Sequence, residues 1–212
     1  MAAQVSGTGH RVDVSDEAQI SHLVNEIQQQ FGHIDIFCSN AGILVEGGAE
    51  LPIADFDRVW GINVRAHLHA AQAVLPGMIA RGSGYLLQTV SAAGLLSQIG
   101  SLPYAITKHA ALALAEWLSI EHHHQGIRVS ALCPQGVRTA MLGEPTSGIA
   151  AVLAETALTP EQVADAAVAG LAEERFLILP HPEVAEYFLR KATDYERWLR
   201  GMRRLRDRTH PS

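Results

Sequence analysis

Apolar residues along this chain fall into two alternating kinds of segment. Short runs rich in branched side chains predict strands at Arg11-Val12-Asp13-Val14, 34–39, 85–90, 127–133 and 175–179. Longer stretches with apolar residues every three or four positions predict helices over 15–31, 53–80, 103–124 and 160–172. A tail helix over 183–208 follows, with Val184, Phe188, Tyr195, Leu199, Met202 and Leu205 in one stripe. The helix ends carry recognisable punctuation: Ser15 as N-cap, Gly32 as stop, Pro103 in a first turn and Gly126 as left-handed cap. Within 53–80, Phe56, Val59, Trp60 and Leu68 are expected to face inward.

Strand and helix in this alternation predict an α/β fold, a parallel sheet covered by helices on both faces. A run such as 127–133, apolar almost throughout, suits a strand buried on both sides. There is no internal repeat and no long linker, so residues 1–212 read as one domain. Ligands of such sheets sit beyond the carboxyl ends of the strands. That directs attention to Asp13, Asn40, Ser91 and the segment after Pro134.

Composition narrows the class. With 48% hydrophobic and 18% charged residues, the 212-residue chain has ample apolar surface to offset chain entropy, which excludes a disordered protein. No run approaches the length of a membrane span, and the first residues lack the basic flank and apolar core of a secretion signal. Cys38 and Cys133, the only cysteines, lie in apolar runs, which suggests a reducing compartment; the expected location is cytoplasmic. The net charge of −6 is uneven: eight of the sixteen basic residues lie between Arg190 and Arg208 beside three acids. A basic tail raises nucleic acid or an anionic membrane as partners, but the apolar stripe favours a packing or subunit-contact helix, and neither partner is expected.

The strongest chemical signal is Ser91, Tyr104 and Lys108. Tyr104 and Lys108 stand four apart at a helix start, hence one turn apart on one face. An ammonium there is expected to favour the phenolate and lower the tyrosine pKa, making a general acid/base near neutral pH. Ser91 ends a strand and could polarise a carbonyl oxygen in the same space. Lysine is rare here, with Lys108 and Lys191 against fourteen arginines, so a lysine inside an apolar helix suggests a role needing a compact ammonium. His122-His123-His124 cannot converge on one ion from successive helical positions, and no metal site is expected. His67 and His69 carry no signal.

With Asp13-Val14, Asn40-Ala41-Gly42, Asn63, Ser91, Tyr104-Ala105-Ile106-Thr107-Lys108 and Pro134 to Thr139, the chain resembles the short-chain dehydrogenase/reductase family over nearly its whole length. The resemblance implies a Rossmann-like, doubly wound sheet and an NAD- or NADP-dependent oxidoreductase interconverting a secondary alcohol and a ketone. It implies Tyr104 as catalytic acid/base, Ser91 orienting the substrate oxygen, Lys108 tuning Tyr104 and holding the nicotinamide ribose, and Asn63 completing a proton relay through water. Cofactor contacts are implied for Asp13 and Val14, for Asn40, Ala41 and Gly42, and for Val137 and Thr139. Gln135 stands where the family usually has glycine. Met141-Leu142 and 149–153 fall where the family places its substrate lid, and their apolar character hints at a lipophilic substrate. Pairing of copies through helices 53–80 and 103–124 is implied as well.

The family's opening glycine-rich turn, which cradles the pyrophosphate at a helix N-terminus, has no counterpart in these residues. Gly7-Thr8-Gly9 precedes a predicted strand instead of following one. The sequence therefore reads as a family domain short of about two strand-helix units, roughly 60 residues, at its front. The alternative expectation is a catalytically silent or cofactor-deficient chain acting as a subunit or remnant.

Overall fold

The computed structural model describes residues 7–143 and 148–209. Four strands, β1 (Ile36–Ser39), β2 (Gly84–Thr89), β3 (Ile127–Leu132) and β4 (Leu177–Ile178), form one parallel sheet in the order β1-β2-β3-β4. The register sets Ser39 beside Gln88 and Thr89 beside Leu132, so the carboxyl ends of the first three strands open at one level.

Helices join the strands. Helix α1 (Glu17–Phe31) precedes β1. Between β1 and β2 run α2 (Ile53–Trp60), one π turn (Gly61–Arg65) and α3 (Ala66–Arg81). Helix α4 (Leu102–His122) links β2 to β3; α5 (Gly148–Glu155) and α6 (Pro160–Ala172) link β3 to β4; α7 (Glu183–Thr193) and α8 (Tyr195–Thr209) follow.

Strand alternation feeds two cores. Ile127, Val129 and Ala131 of β3 join Leu86 of β2, Val74 and Met78 of α3 and Ala111, Ala115 and Leu118 of α4 in the larger one. Leu87, Leu132 and Ile178 point to the opposite face, where Val163 and Ala167 of α6 cover them. Gly126 lets the loop before β3 pass close to the end of α3: its φ is +81°, and a Cβ there would lie 1.9 Å from the Gly82 carbonyl oxygen.

Several expectations need correction. Arg11 to Val14 is not a strand. Asp13 instead closes a local turn, its carboxylate accepting from the Ser15 backbone N–H at 2.9 Å and from the Ser15 hydroxyl at 2.7 Å. Such side-chain-to-backbone bonds compete with strand pairing. The cap of α1 is Asp16, not Ser15: its carboxylate accepts from Ala18 N and Gln19 N.

Trp60 and Leu68 are exposed, while Val59 is buried and Phe56 half-buried. Val59 takes the inward place beside Trp60, since neighbouring helical residues point about 100° apart. The π turn inserts a residue that rotates Leu68 off the stripe expected from an unbroken period. The tail is two helices. Asp194 leaves helical geometry (φ −146°, ψ 88°), and its carboxylate accepts from Arg197 N at 2.9 Å, starting a new helix.

Candidate active site

The carboxyl end of β2 leads through Val90 to Ser91, whose hydroxyl oxygen accepts from Ala93 N at 3.1 Å and caps one 3-10 turn over Ala92–Gly94. Gly94 then lies against α4; a Cβ there would stand 2.6 Å from the Lys108 carbonyl oxygen, so glycine sets how near the Ser91 segment comes to α4. At the start of α4, the Ser101 hydroxyl donates to Val45 O at 2.6 Å and accepts from Tyr104 N at 3.4 Å. This fixes the first helical turn from which Tyr104 and Lys108 project.

Ser91, Tyr104 and Lys108 all line one open cavity of about 2260 Å³ beyond the strand ends. The usual ligand pocket holds about 300–1,000 Å³, so this open cavity exceeds that range. Asn40, Ala41 and Gly42 after β1 line it, as do Val137 and Thr139 after β3. The lid residues Met141, Leu142, Ile149, Val152 and Leu153 close one side. Asp13 and Val14 are not on this wall: Asp13 is exposed and engaged by Ser15, and Val14 packs on the main core.

Lys108 is buried, and its ammonium donates to Thr89 O at 3.0 Å. It stands 5.4 Å from the Tyr104 ring centroid, over the ring face. This arrangement corrects the expected electrostatics. Burial pushes the Tyr104 hydroxyl above its usual pKa, and the Ser91 hydroxyl beside it pulls it partly back. Burial likewise lowers Lys108 to about 8. For both groups burial is the largest influence.

Asn63, buried in the π turn, lies behind the wall. Its side-chain oxygen accepts from Ile43 N at 2.9 Å, and its amide donates to Ile43 O at 2.9 Å and to Thr107 Oγ1 at 3.1 Å. It thus ties the strand-end segment Asn40-Ala41-Gly42 to α4. A Cβ on Gly42 would lie 3.4 Å from Asn63 Oδ1 and 3.5 Å from Lys108 Nζ, so three elements converge there.

Three residues near the site carried no weight in the sequence. His67 is buried, has no well-formed hydrogen bond at either ring nitrogen, and is held down to about 4 by burial and by the Lys108 charge. It is a neutral imidazole behind the lysine. His181, after β4, accepts from Gln135 N at 3.1 Å through Nδ1 and so braces the segment beyond Pro134. Lys191 of α7 is buried and donates to Leu95 O at 2.7 Å and Leu96 O at 3.0 Å, next to the Ser91 turn. The rarity of lysine could have pointed to it.

Among the described residues, no group of three or more His, Cys, Asp and Glu is placed to hold a metal ion, and no helix is long and apolar enough to cross a membrane.

Similarity to known proteins agrees with this geometry. The chain is 34% identical over 135 residues to 2-(R)-hydroxypropyl-CoM dehydrogenase of Xanthobacter autotrophicus, a match covering 62% of this chain and 54% of that protein. It is 32% identical over 191 residues to 1-deoxy-11-beta-hydroxypentalenate dehydrogenase of Streptomyces exfoliatus, covering 86% and 69%. The chain spans about half the length of the first of these. The crystal structure of a short chain dehydrogenase/reductase from Burkholderia phymatum in complex with NAD superposes with a TM-score of 0.81 at 27% identity, covering 92% of this chain and 78% of that one. The family model described as short chain dehydrogenase matches residues 2–149. The parallel sheet, the strand-end cavity and these matches agree: the chain belongs to the short-chain dehydrogenase/reductase family.

Proposed function

We propose that this chain takes part in NAD(P)-dependent interconversion of a secondary alcohol and a ketone, with Tyr104 as the acid/base. The observation that carries the reading is the convergence of Ser91, Tyr104 and Lys108 on one cavity at the end of β2. The residues present suit the nicotinamide end of a dinucleotide. The Lys108 ammonium uses one N–H on Thr89 O and has others for a ribose hydroxyl at the wall it shares with Asn40, Ala41 and Gly42. Val137 and Thr139 lie on the same wall, where a carboxamide would meet them. Asp13, with its carboxylate engaged by Ser15, suits an adenine contact at the far end less directly.

A bound nicotinamide would supply or accept the hydride. The side chains do the rest. Ser91 holds the substrate oxygen by its hydroxyl. Tyr104 gives its phenolic proton to that oxygen during reduction and takes one back during oxidation. Lys108 stabilises the phenolate left behind, and Asn63 keeps the Gly42 segment against Lys108 so that the cavity wall does not move. A hydroxyl kept neutral by burial is the form ready for ketone reduction, since it holds its proton until an acceptor arrives.

The exposed apolar residues Trp60 and Leu68 beside the π turn and Trp117 and Ile120 of α4 support pairing of copies through these helices. Size-exclusion chromatography with light scattering reads that directly; a monomer would overturn it.

Tyr104→Phe tests the chemistry. The expected outcome is a fall in turnover of about 10²- to 10⁴-fold with the circular-dichroism spectrum unchanged. Retained turnover would overturn the assignment. Saturable enhancement of NADH or NADPH fluorescence by the purified chain tests cofactor binding separately; its absence would favour a silent subunit.

A further inference from the structure

The active-site cavity has a second wall, built by α8. Arg197, Arg204 and Arg208 on that helix line the cavity. At spacings of seven and four residues they fall within about 40° of one another around the helix axis, so they form a single ridge. Gly201, on the same wall and a turn from Arg197, leaves the middle of the ridge without a side chain.

The three arginines are exposed, and among the described residues none of them forms an ion pair. Their neighbours do: Arg190 pairs with Glu186 and Arg206 with Asp207. Acids line the cavity too, at Glu46, Glu50, Glu155, Glu183 and Asp194, but among the described residues none of them forms an ion pair with the ridge guanidiniums. Asp194 is turned to the helix backbone, accepting from Arg197 N at 2.9 Å.

The helix is held in place over the cavity. Trp198 packs on the main core, and a Cβ on Gly148 of α5 would lie 3.7 Å from the Thr209 carbonyl oxygen, so the end of α8 rests against the lid helix. Lys191 pins the preceding elbow to Leu95 and Leu96. Beside the ridge, Met202 and Leu205 line the cavity, with Met141, Ile149 and Val152 also on its wall.

We propose that the Arg197–Arg204–Arg208 ridge binds an anionic group on the substrate, an alcohol or ketone with an apolar body ending in a carboxylate, phosphate or sulfonate. This rests on the oxidoreductase reading above and names its substrate class. Unpaired guanidiniums present planar N–H forks that match such oxyanions, and an apolar body would lie along Met202, Leu205 and the lid. A phosphate of the dinucleotide has the same chemistry, so the test separates the two sources.

The probes are 9-oxodecanoate and its methyl ester, titrated into the whole chain by calorimetry at low salt. The keto acid is expected to bind about ten times or more tightly than the ester, as one or two charge-assisted bonds would give. The double variant Arg197→Glu/Arg204→Glu loses that preference. The control Arg200→Glu/Arg203→Glu, with the same charge change away from the cavity wall, keeps it. Raising salt to about 0.5 M erodes the preference in the parent.

Equal affinity for acid and ester, binding of neither, or a preference that survives the double variant overturns the proposal. So does a loss of NADH affinity in the double variant with the acid preference intact, which would assign the ridge to the dinucleotide. Equal reduction of acid and ester by NADH would leave the oxidoreductase reading standing and remove this one. Tight binding of the acid with no turnover by either nucleotide would do the reverse.

Discussion

Around the ends of β2 and β3, the chemically useful side chains are inside the protein: Ser91, Tyr104, Lys108 and Asn63 are all buried, and tertiary hydrogen bonds fix several of them. At β1 the situation is reversed. Ile36 and Cys38 look outward, Asn40 and Ala41 are exposed, and Asp13 is engaged only by its sequence neighbours. The difference follows the layers. Both faces of β2 and β3 are covered, by the α3–α4 core and by α6, whereas β1 packs its Phe37 side on the core and leaves the other face open. The largest burial-driven pKa shifts, at Lys108, His67 and Cys133, belong to the doubly covered half, although burial raises Cys38 of β1 as well. The half that borders the proposed cofactor offers shape and backbone groups.

The sharpest way to break that comparison is Lys108→Met. Turnover is expected to fall by about 10²- to 10⁴-fold. Stability should change in a pH-dependent way. The folded chain holds Lys108 near 8 against 10.5 for an ordinary lysine, so between those values the unfolded chain binds more protons. The parent therefore gains stability as pH rises through that window, and the burial penalty is complete below it. Relative to the parent, the methionine variant should lose on the order of 3 kcal/mol of advantage between pH 7 and pH 10.5. Urea unfolding at the two pH values checks this; a constant difference would contradict the burial account.

Asn63→Leu comes next. It leaves both backbone groups of Ile43 without their partner, at about 1–3 kcal/mol each. Denaturant unfolding should register the loss, and proteolysis should quicken near 40–43. Leu87→Ala, under α6, should cost about 2–5 kcal/mol. Ile36→Ala, one strand away on the open side of β1, should fall within about 0.5 kcal/mol of the parent. If the two apolar truncations cost the same, β1 is covered in solution by something beyond this chain's described residues.

The parts legible from sequence were those set by local spacing. Tyr104 and Lys108 share a face because they are four apart, and Gly32, Gly126 and Pro103 ended or opened helices as their backbone preferences dictate. What failed depended on neighbours. Val12 and Val14 alternate like a strand, yet a strand needs a ladder, and the Asp13–Ser15 turn prevailed. Leu68 leaves the stripe because the π turn breaks the helical period before it. The break at Asp194 was available as a capping residue three before Arg197, but the continuing apolar stripe concealed it. The Tyr104 shift could not be read at all: spacing reports proximity to an ammonium, and burial decides the sign.

The second lysine has a consequence for how the tail responds to its surroundings. Lys191 is satisfied by two carbonyl oxygens under the surface and not by a carboxylate, so added electrolyte has little to compete for there. The pairs Arg190–Glu186 and Arg206–Asp207 sit in the open and dissolve readily in brine. The α7–α8 elbow thus behaves as a mooring indifferent to ionic strength, carrying a guanidinium rail that is highly sensitive to it. Salt can then switch the rail's attraction off while the elbow that carries it stays berthed at Leu95 and Leu96.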